Sequence, residues 1–493
     1  MKKTIYKPLV FVPSLLIIIF LILMIPVQDD IQVKRPGESV PFIWDQDNRW
    51  ESLESSFTQA LREEDEVLKQ RIDSLNKEAD KIYLQLNGTE IRPGSEELKN
   101  LLDLFFETGS YVAAFPEETT GFLDRYSRYR RLVKKASVSW DIEDRKSRDA
   151  LYKYLYGMRA AAEEVLLQSE SPIDPVLYVD EVASETPSTD ILGIEVHSGD
   201  LLVSRGGAEV SALISRGNDF PGNFSHVALI YIEEGTNIPY LVEAHIERGV
   251  AIATLEEYLR DRKLRFMVLR PRPDLPEIME DPMIPHKAAK LMFEEVQNRH
   301  IPYDFKMDFY DEEAMFCSEV GSYAYASEGI TLWQAESTIS SDGIVRLLKT
   351  FGVENFVTQM PSDLEYDPQL SVVAEWRDTE SLMEDHVYNA VIDAMLVCAG
   401  QGKEVDYNAW YLPLARVLKG YSMILNLFEN HGPVPEGMSA TQALKNNSFV
   451  DEHATYKEEV YSKVESFKKE RGYNPPYWEL VKMAENTTSC SEN

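Results

Sequence analysis

A series of short β-rich segments in the middle of the chain constrains the fold more than any other feature of the sequence. Each segment is rich in apolar and β-branched residues and is bounded by turn residues, and the segments are 199–204, 226–233, 239–246, 249–254 and 265–270. Runs of this length and composition predict strands. Helical spacing appears between and after them, at 255–262, 285–299 and 317–327. We therefore expect one α+β domain over residues 187–366.

The residues on both sides of this domain follow a helical pattern instead. Before it, apolar residues recur at helix-like spacing among dense charges, which predicts a helical hairpin or small bundle over 45–170. A Ser- and Pro-rich linker is expected at 169–187. After the domain, helical texture returns over 370–493. We expect both flanks to be accessory, so that a fragment of about 187–367 would keep the chemistry of the domain.

The N-terminus carries an apolar run at residues 9–27, in which Ser14 is the only polar side chain. A membrane-spanning helix needs about 20 apolar residues, more than the core of a signal peptide. Lysines precede the run and Asp29 and Asp30 follow it. This predicts an uncleaved single-pass anchor with the bulk of the chain extracytoplasmic, in the periplasm or at the cell surface. A long cleaved signal peptide is the alternative, and residues 28–45 are expected to form a tether.

Charge and cysteine content exclude several classes of protein. The formal net charge is −33, which disfavours a nucleic-acid partner because phosphates need a basic face. Three cysteines rule out a disulfide framework, although one bond between Cys398 and Cys490 is left open. His286 and His300 lack the spacing of metal ligands, and no phosphate-binding loop is present, so no metal or cofactor is expected.

Three residues in the α+β domain provide the parts of a cysteine-nucleophile site. Cys317 lies at the predicted start of a helix, where the helix dipole would favour a thiolate. His226 begins one predicted strand, and Glu243 lies within the next. An unpaired carboxylate in an apolar strand would be costly, whereas a paired histidine removes that cost and fixes the tautomer of the imidazole. His245, two residues after Glu243, is the rival base.

Neighbouring residues have weaker claims to a role. Tyr303, Asp304 and Ser225 are candidates for substrate binding, but Tyr303 and Asp304 are equally typical of packing and turn formation. Asp200 is expected to cap or turn a strand entry. Glu319 is expected to pair with the dipole of the Cys317 helix without being catalytic.

Several short motifs together resemble one family. They are Gly199-Asp200-Leu201-Leu202, Phe224-Ser225-His226-Val227-Ala228, Val242-Glu243-Ala244, Pro302-Tyr303-Asp304-Phe305, Phe316-Cys317-Ser318-Glu319-Val320 and Pro361-Ser362-Asp363-Leu364. This segment resembles the YiiX/YebB-type permuted papain-like amidases, a branch of the NlpC-like superfamily that is also similar to the lecithin retinol acyltransferase group. The resemblance covers about a third of the chain. It implies a circularly permuted papain-like fold with Cys317 as nucleophile, His226 as base and Glu243 as the residue that orients the histidine.

The resemblance and the N-terminal run together predict a membrane-anchored extracytoplasmic cysteine hydrolase of amide bonds. Cell-wall peptides or N-acylated molecules would be its substrates in a bacterium. A lipid acyltransferase or acyl hydrolase of the same fold is the first alternative, because both reactions pass through an acyl-enzyme. A scaffold whose papain-like domain only binds is the second. The sequence leaves the oligomeric state open.

Overall fold

The computed structural model describes residues 6–25, 37, 40–44, 47–169, 173–309, 311–426, 428, 430, 432–488 and 490. Helices make up the N-terminal part of this range. They are α1 (Tyr6–Leu23), α2 (Asp47–Ala60), α3 (Asp65–Leu86), α4 (Glu96–Ala114), α5 (Thr119–Ser137) and α6 (Arg145–Gln168), with a 3₁₀ turn at Pro116–Glu118. The apolar sides of α2 to α6 share one core, as in a small helical bundle.

The middle of the chain combines strands with helices. Its strands are β1 (Val176–Tyr178), β2 (Ser188–Ile191), β3 (Ile194–His197), β4 (Leu201–Gly206), β5 (His226–Ile232), β6 (Pro239–His245), β7 (Gly249–Thr254), β8 (Lys263–Pro271), β9 (Ser337–Thr338), β10 (Val357–Thr358) and β11 (Leu370–Arg377). Its helices are α7 (Glu209–Arg216), α8 (Leu255–Arg260), α9 (Pro276–Glu280), α10 (Ile284–Asn298), α11 (Cys317–Ser327), α12 (Asp342–Thr350) and α13 (Asp363–Tyr366). The mixture of helix and sheet agrees with the predicted fold class.

Within the described residues, the main sheet is antiparallel and has the strand order β1-β11-β8-β4-β5-β6-β7. Helix α11 packs against β5 and β6, and Val320 and Ala324 share a core with Val227 and Leu229. This packing places the first turn of α11 beside the first residues of β5. The segments predicted to carry Cys317 and His226 are therefore neighbours in the fold.

Two strands of the sheet come from outside the predicted domain limits. Strand β1 lies in the segment that we expected to be a linker, and β11 lies in the region expected to be helical. Strand β11 has the stronger local pattern. Strand β1 is only three residues long and gains its hydrogen-bond partners from β11. The boundaries themselves stay predictions, but the sheet crosses them.

The C-terminal part is helical, as expected beyond β11. It contains α14 (Leu382–Gly400), α15 (Leu412–Asn426), α16 (Ala440–Arg471) and α17 (Tyr477–Glu485), with a 3₁₀ turn at Ala409–Tyr411. A disulfide joins Cys398 at the end of α14 to Cys490. The pairing that the sequence left open is thus present. Cys490 is not part of a free tail, because the chain after α17 returns to α14.

The predicted transmembrane anchor is not supported. Helix α1 ends at Leu23, within the apolar run. Among the residues that the structure describes, no helix is long and apolar enough to cross a membrane. Residues 26 and 27 of the run, and most of the expected tether, lie outside the described residues.

Buried ion pairs join the N-terminal helices to the sheet. Arg130 of α5 is 0% exposed and pairs with both Glu365 and Glu375. Arg159 of α6 also pairs with Glu365. Arg265 of β8 forms a second cluster of this kind, with Glu163 of α6 and Asp385 of α14. Removing one partner of such a buried pair leaves an uncompensated charge, so the helices and the sheet depend on each other.

Candidate active site

Cys317 is the first residue of α11 and is buried, as the sequence predicted for a helix start. The backbone N–H of Phe316 donates to Glu319 Oε2 at 2.7 Å, which closes the first turn of the helix. The thiol of Cys317 donates to the carbonyl oxygen of Ser225 at 3.8 Å. The backbone N–H of Val227 also interacts with the sulfur and acts to lower the pKa of the thiol. The sulfur therefore lies against the backbone on both sides of His226.

His226 is the first residue of β5, and Ser204 of β4 is its partner in the sheet. The hydrogen bond from Ser225 N to Ser204 O, at 2.9 Å, fixes the point where β5 begins. His226 Nε2 lies 2.6 Å from Glu243 Oε2. Glu243 pairs in register with Ala228, so its side chain is the diagonal cross-strand neighbour of His226. The strand register thus brings the predicted base and the predicted orienting residue together.

Glu243 is buried between two imidazoles. Its Oε1 atom lies 3.0 Å from Nε2 of His245, the last residue of β6. Burial by itself would raise the pKa of the Glu243 carboxyl, but the contacts from His226 and His245 outweigh that effect and hold the pKa well below its usual range. The carboxylate is consequently charged; it is hydrogen-bonded to His226 and lies beside the ring of His245.

The thiol of Cys317 does not have the low pKa that its place at a helix start suggested. Burial raises the pKa of the Cys317 thiol to about 12. The backbone N–H groups of Val227, Ser318 and Cys317 itself act in the opposite direction, and the carboxyl of Glu319 raises the pKa further. The free-energy cost of desolvating a thiolate is larger here than the stabilisation that the helix N-terminus provides. The structure therefore holds a neutral thiol among backbone N–H donors.

The three candidate substrate-binding residues occupy different positions. Tyr303 is half-buried, and burial raises the pKa of its phenol well above the usual value, with Cys317 and Asp304 adding to the rise. Asp304 is buried and accepts hydrogen bonds from the N–H groups of Lys306 and Asp308, as a turn-forming residue does. Ser225 offers its backbone carbonyl to the thiol. Their roles in substrate binding stay predictions.

Gln359 and Ser362 connect the elements of the site. Ser362 belongs to one of the motifs of the resemblance, in which the sequence assigns it no role, and the sequence does not single out Gln359. The Ser318 hydroxyl donates to the Gln359 carbonyl at 2.8 Å, and the Ser322 hydroxyl donates to Gln359 Oε1 at 2.7 Å. Ser362 Oγ accepts from Phe224 N at 3.2 Å and donates to Phe224 O at 3.1 Å. The motif at 361–364 pointed to this region, but no local pattern predicts partners so distant in the chain.

Asp200 has the structural role expected of it. Its carboxylate accepts from the N–H of His197 at 2.8 Å and forms two bonds of 2.8 Å with Arg270. These bonds fix the entry to β4, away from the thiol. Among the described residues, no group of three or more His, Cys, Asp or Glu side chains is arranged to hold a metal ion.

Comparison with known proteins finds one family model that matches the segment carrying this site. Residues 195–374 match the model of the permuted papain-like amidase enzymes of the YaeF/YiiX, C92 family. The matched segment contains Cys317, His226 and Glu243, and the resemblance found from the motifs is confirmed for this part of the chain. No curated protein and no solved structure matches the chain.

Proposed function

We propose that this protein is a cysteine hydrolase that cleaves amide bonds through an acyl-enzyme, with Cys317 as nucleophile, His226 as base and Glu243 as the residue that orients the histidine. One observation carries the proposal: the thiol lies against the backbone on both sides of a histidine whose ring is held by a buried carboxylate. The family match supports the reaction class, an amidase.

The neutral thiol determines how the first step proceeds. His226 Nε2 is engaged by Glu243, so Nδ1 is the ring nitrogen left to take the thiol proton. Proton transfer accompanies attack of the sulfur on the substrate carbonyl carbon, since a free thiolate is too costly in this buried position. The backbone N–H groups of Val227 and Ser318, which act on the sulfur, are suited to bind the oxyanion that develops.

The imidazolium of His226 then completes the cycle. It donates its proton to the leaving amine as the C–N bond breaks, which leaves a thioester on Cys317. Neutral His226 next removes a proton from water, the hydroxide attacks the thioester, and the thiolate that leaves takes the proton back. Glu243 stabilises the imidazolium in both halves because its carboxylate stays ionised.

An extracytoplasmic location fits this chain. The Cys398–Cys490 disulfide supports that location, because such bonds persist in oxidising compartments and are rare in the cytosol. In that space, cell-wall peptides and N-acylated molecules are the amide substrates we expect. Neither substrate needs a metal or another cofactor for the steps above.

A lipid acyl hydrolase or acyltransferase is the second candidate. Exposed apolar side chains on α15 favour it, because such a surface suits a lipid substrate. Both candidates share the acyl-enzyme on Cys317, and they differ in the group that carries the acyl chain.

Labelling of Cys317 by an acyl-transferring probe tests the mechanism. Among the described residues Cys317 is the free cysteine, so we expect one thioester per chain near neutral pH. The His226→Ala variant should lose this labelling while its thiol still reacts with an alkylating agent after denaturation. His300→Ala is the matched control, since His300 is exposed and pairs with Glu436. Equal thioester formation in parent and His226→Ala would contradict the proposal. Competition of amides and of phospholipids with the probe for Cys317 separates the two candidates.

A further inference from the structure

Helix α15 and the turns at its ends expose a regular row of large apolar side chains. The row consists of Trp410, Leu414, Val417, Tyr421, Ile424 and Phe428. These side chains are between 52% and 71% exposed. Their spacing alternates between four and three residues, which places all of them on one side of a helix. An apolar row of this length is uncommon on a free protein surface.

The opposite side of α15 is firmly attached to the rest of the protein. Leu412 and Ala415 are buried, and Ser422 Oγ accepts from Val434 N at 3.0 Å. Lys419 Nζ donates to the carbonyl oxygens of Pro435, at 2.8 Å, and Glu436. The helix is thus oriented by its buried side, and the exposure of the row follows from that orientation.

Helix α1 extends the same surface. Arg416 donates from Nη1 to Leu23 O at 2.8 Å and from Nη2 to Ile25 O at 2.7 Å, so it caps the end of α1. The ring centroids of Phe20 and Trp410 are 6.1 Å apart. Exposed side chains of α1 and of the residue Ile25 after it continue the apolar area; those of α1 are Leu15, Leu16, Ile17, Ile18, Ile19, Leu21 and Ile22. We call the row on α15 together with these side chains the apolar face.

The two segments that form the apolar face also lack acidic residues. No Asp or Glu occurs before Asp29, and none occurs between Asp406 and Glu429. The chain as a whole carries 83 acidic residues and a net charge of −33. The charged side chains on this part of α15 are the cations Arg416 and Lys419. The apolar face therefore lacks the acidic side chains that an anionic membrane would repel.

We propose that the apolar face docks on a lipid bilayer, with α15 lying in the interfacial plane. Trp410, Tyr411 and Tyr421 are the residue types that concentrate at membrane interfaces, where one end of the side chain is apolar and the other is wet. From Leu15 to Ile22, the exposed residues of α1 are apolar around the whole helix, which suits lipid better than the one-sided seam of a second copy. This docking goes beyond the proposed hydrolase activity and does not depend on it.

Docking would bring the segment before the nucleophile close to the bilayer. The residues that hold α15 precede Gly437, which lies so near the Phe305 ring that a Cβ atom would come within 2.3 Å of it. Phe305 follows Tyr303, whose backbone pairs with Met315 just before Cys317. The apolar face and the candidate active site are thus linked by a short series of packed residues.

Flotation of the full chain with phosphatidylcholine vesicles tests the proposal. We expect the parent to float, and high salt to change this little, because binding depends on apolar burial. Leu414→Ser/Ile424→Ser should reduce the partition coefficient about 100-fold, since each lost side chain is worth roughly tenfold. The control is Leu84→Ser/Met279→Ser, which removes apolar side chains that are 70% and 64% exposed elsewhere and should float as the parent does.

Three results would overturn docking on lipid. The first is equal flotation of the parent and Leu414→Ser/Ile424→Ser. The second is a lipid-free parent that is a dimer by light scattering and becomes a monomer in that variant, because the face would then bind a second copy. A separate readout uses brominated lipids: we expect quenching of the tryptophan fluorescence of the parent, and Trp410→Phe should remove most of the quenched component. Unchanged quenching in Trp410→Phe would also overturn the proposal.

Discussion

Glu243 lies at the centre of the candidate site, between two histidines. Its two carboxylate oxygens face two different histidines, which lie at the start of β5 and the end of β6. The histidines are therefore similar in their charge partner and differ in what else they touch. Of the two histidines, it is His226 whose flanking backbone, at Ser225 and Val227, contacts the thiol. This asymmetry supports His226 as the base over His245.

Paired substitutions at the two histidines test that assignment. His226→Ala should lower kcat/KM for an amide substrate on the order of 10³-fold, because it removes the group that takes and returns the proton. His245→Ala should stay within about tenfold of the parent, since Glu243 keeps its contact with His226. Glu243→Gln should fall between them, because it removes the charge but keeps a hydrogen-bond acceptor. An active His226→Ala beside an inactive His245→Ala would reverse the assignment.

The carboxyl of Glu319, in the first turn of α11, makes the free energy of unfolding depend on pH. Burial raises the pKa of its carboxyl to about 9, and nearby Asp304, Asp308 and Asp311 raise it as well, although the Phe316 N–H opposes them. Folded protein thus holds a proton on Glu319 between about pH 4.5 and 9 that the unfolded chain does not bind. The free energy of unfolding falls as pH rises through that window.

Glu319→Gln should remove this pH dependence while keeping the hydrogen bond from Phe316 N. We expect the variant to be more stable than the parent by about 1–3 kcal/mol at pH 8 and equally stable near pH 4. Urea unfolding at several pH values measures the difference. Glu256→Gln, at a side chain that is exposed, is the control and should show no such trend. A gain that is the same at every pH would contradict the explanation.

At the level of elements, the site depends on a junction between α13, α11 and the loop before β5. Ser362 forms hydrogen bonds with both the N–H and the carbonyl of Phe224. It also lies so close to Gly222 that a Cβ atom at position 222 would collide with its side chain. Gln359 connects the same segment to Ser318 and Ser322 of α11. These bonds set the position of His226 relative to the first turn of α11.

Ser362→Ala should weaken this junction. Loss of both hydrogen bonds to Phe224 leaves a buried N–H and carbonyl unpaired, which should cost about 1–3 kcal/mol of stability. We also expect kcat to fall more than KM changes, because the base is displaced from the thiol. Ser327→Ala removes one exposed hydrogen bond on α11 and is the control. Denaturant unfolding and steady-state kinetics on both variants measure these effects, and full activity in a destabilised Ser362→Ala would show that the junction does not position the base.

At the level of the whole molecule, the α+β domain is not separated from its flanks by a free boundary. A fragment of residues 187–367 would lack β1 and β11, and Glu365 would lose Arg130 and Arg159. This interdependence changes the expectation from sequence that such a fragment keeps its chemistry.

We now expect the 187–367 fragment to be unfolded or aggregated, whereas a 40–490 fragment should be monodisperse and should form the thioester at Cys317. Buried carboxylates without their partners cost several kcal/mol each, more than a small domain can lose. Size-exclusion chromatography and thermal melts of both fragments measure this. A cooperative melt and normal labelling in the short fragment would restore the sequence-based expectation.

The sequence by itself determined those parts of the protein whose signal is local. Residue spacing and turn residues within a short window predict strand β5, which begins at His226, and strand β6, which ends at His245. They also predict the helix that begins at Cys317 and the helical flanks. The motifs around Cys317 and His226 also sufficed to identify the family that matches residues 195–374.

Only the tertiary structure decided the features that depend on partners far apart in the chain. Strand β1 exists because β11 supplies its hydrogen bonds, and the thiol of Cys317 stays neutral because packing removes it from water. The row on α15 has an ordinary helical pattern in the sequence, yet it is exposed because the other side of the helix takes the bonds to the protein. Local patterns specify secondary structure, whereas burial and long-range pairing depend on how the elements come together.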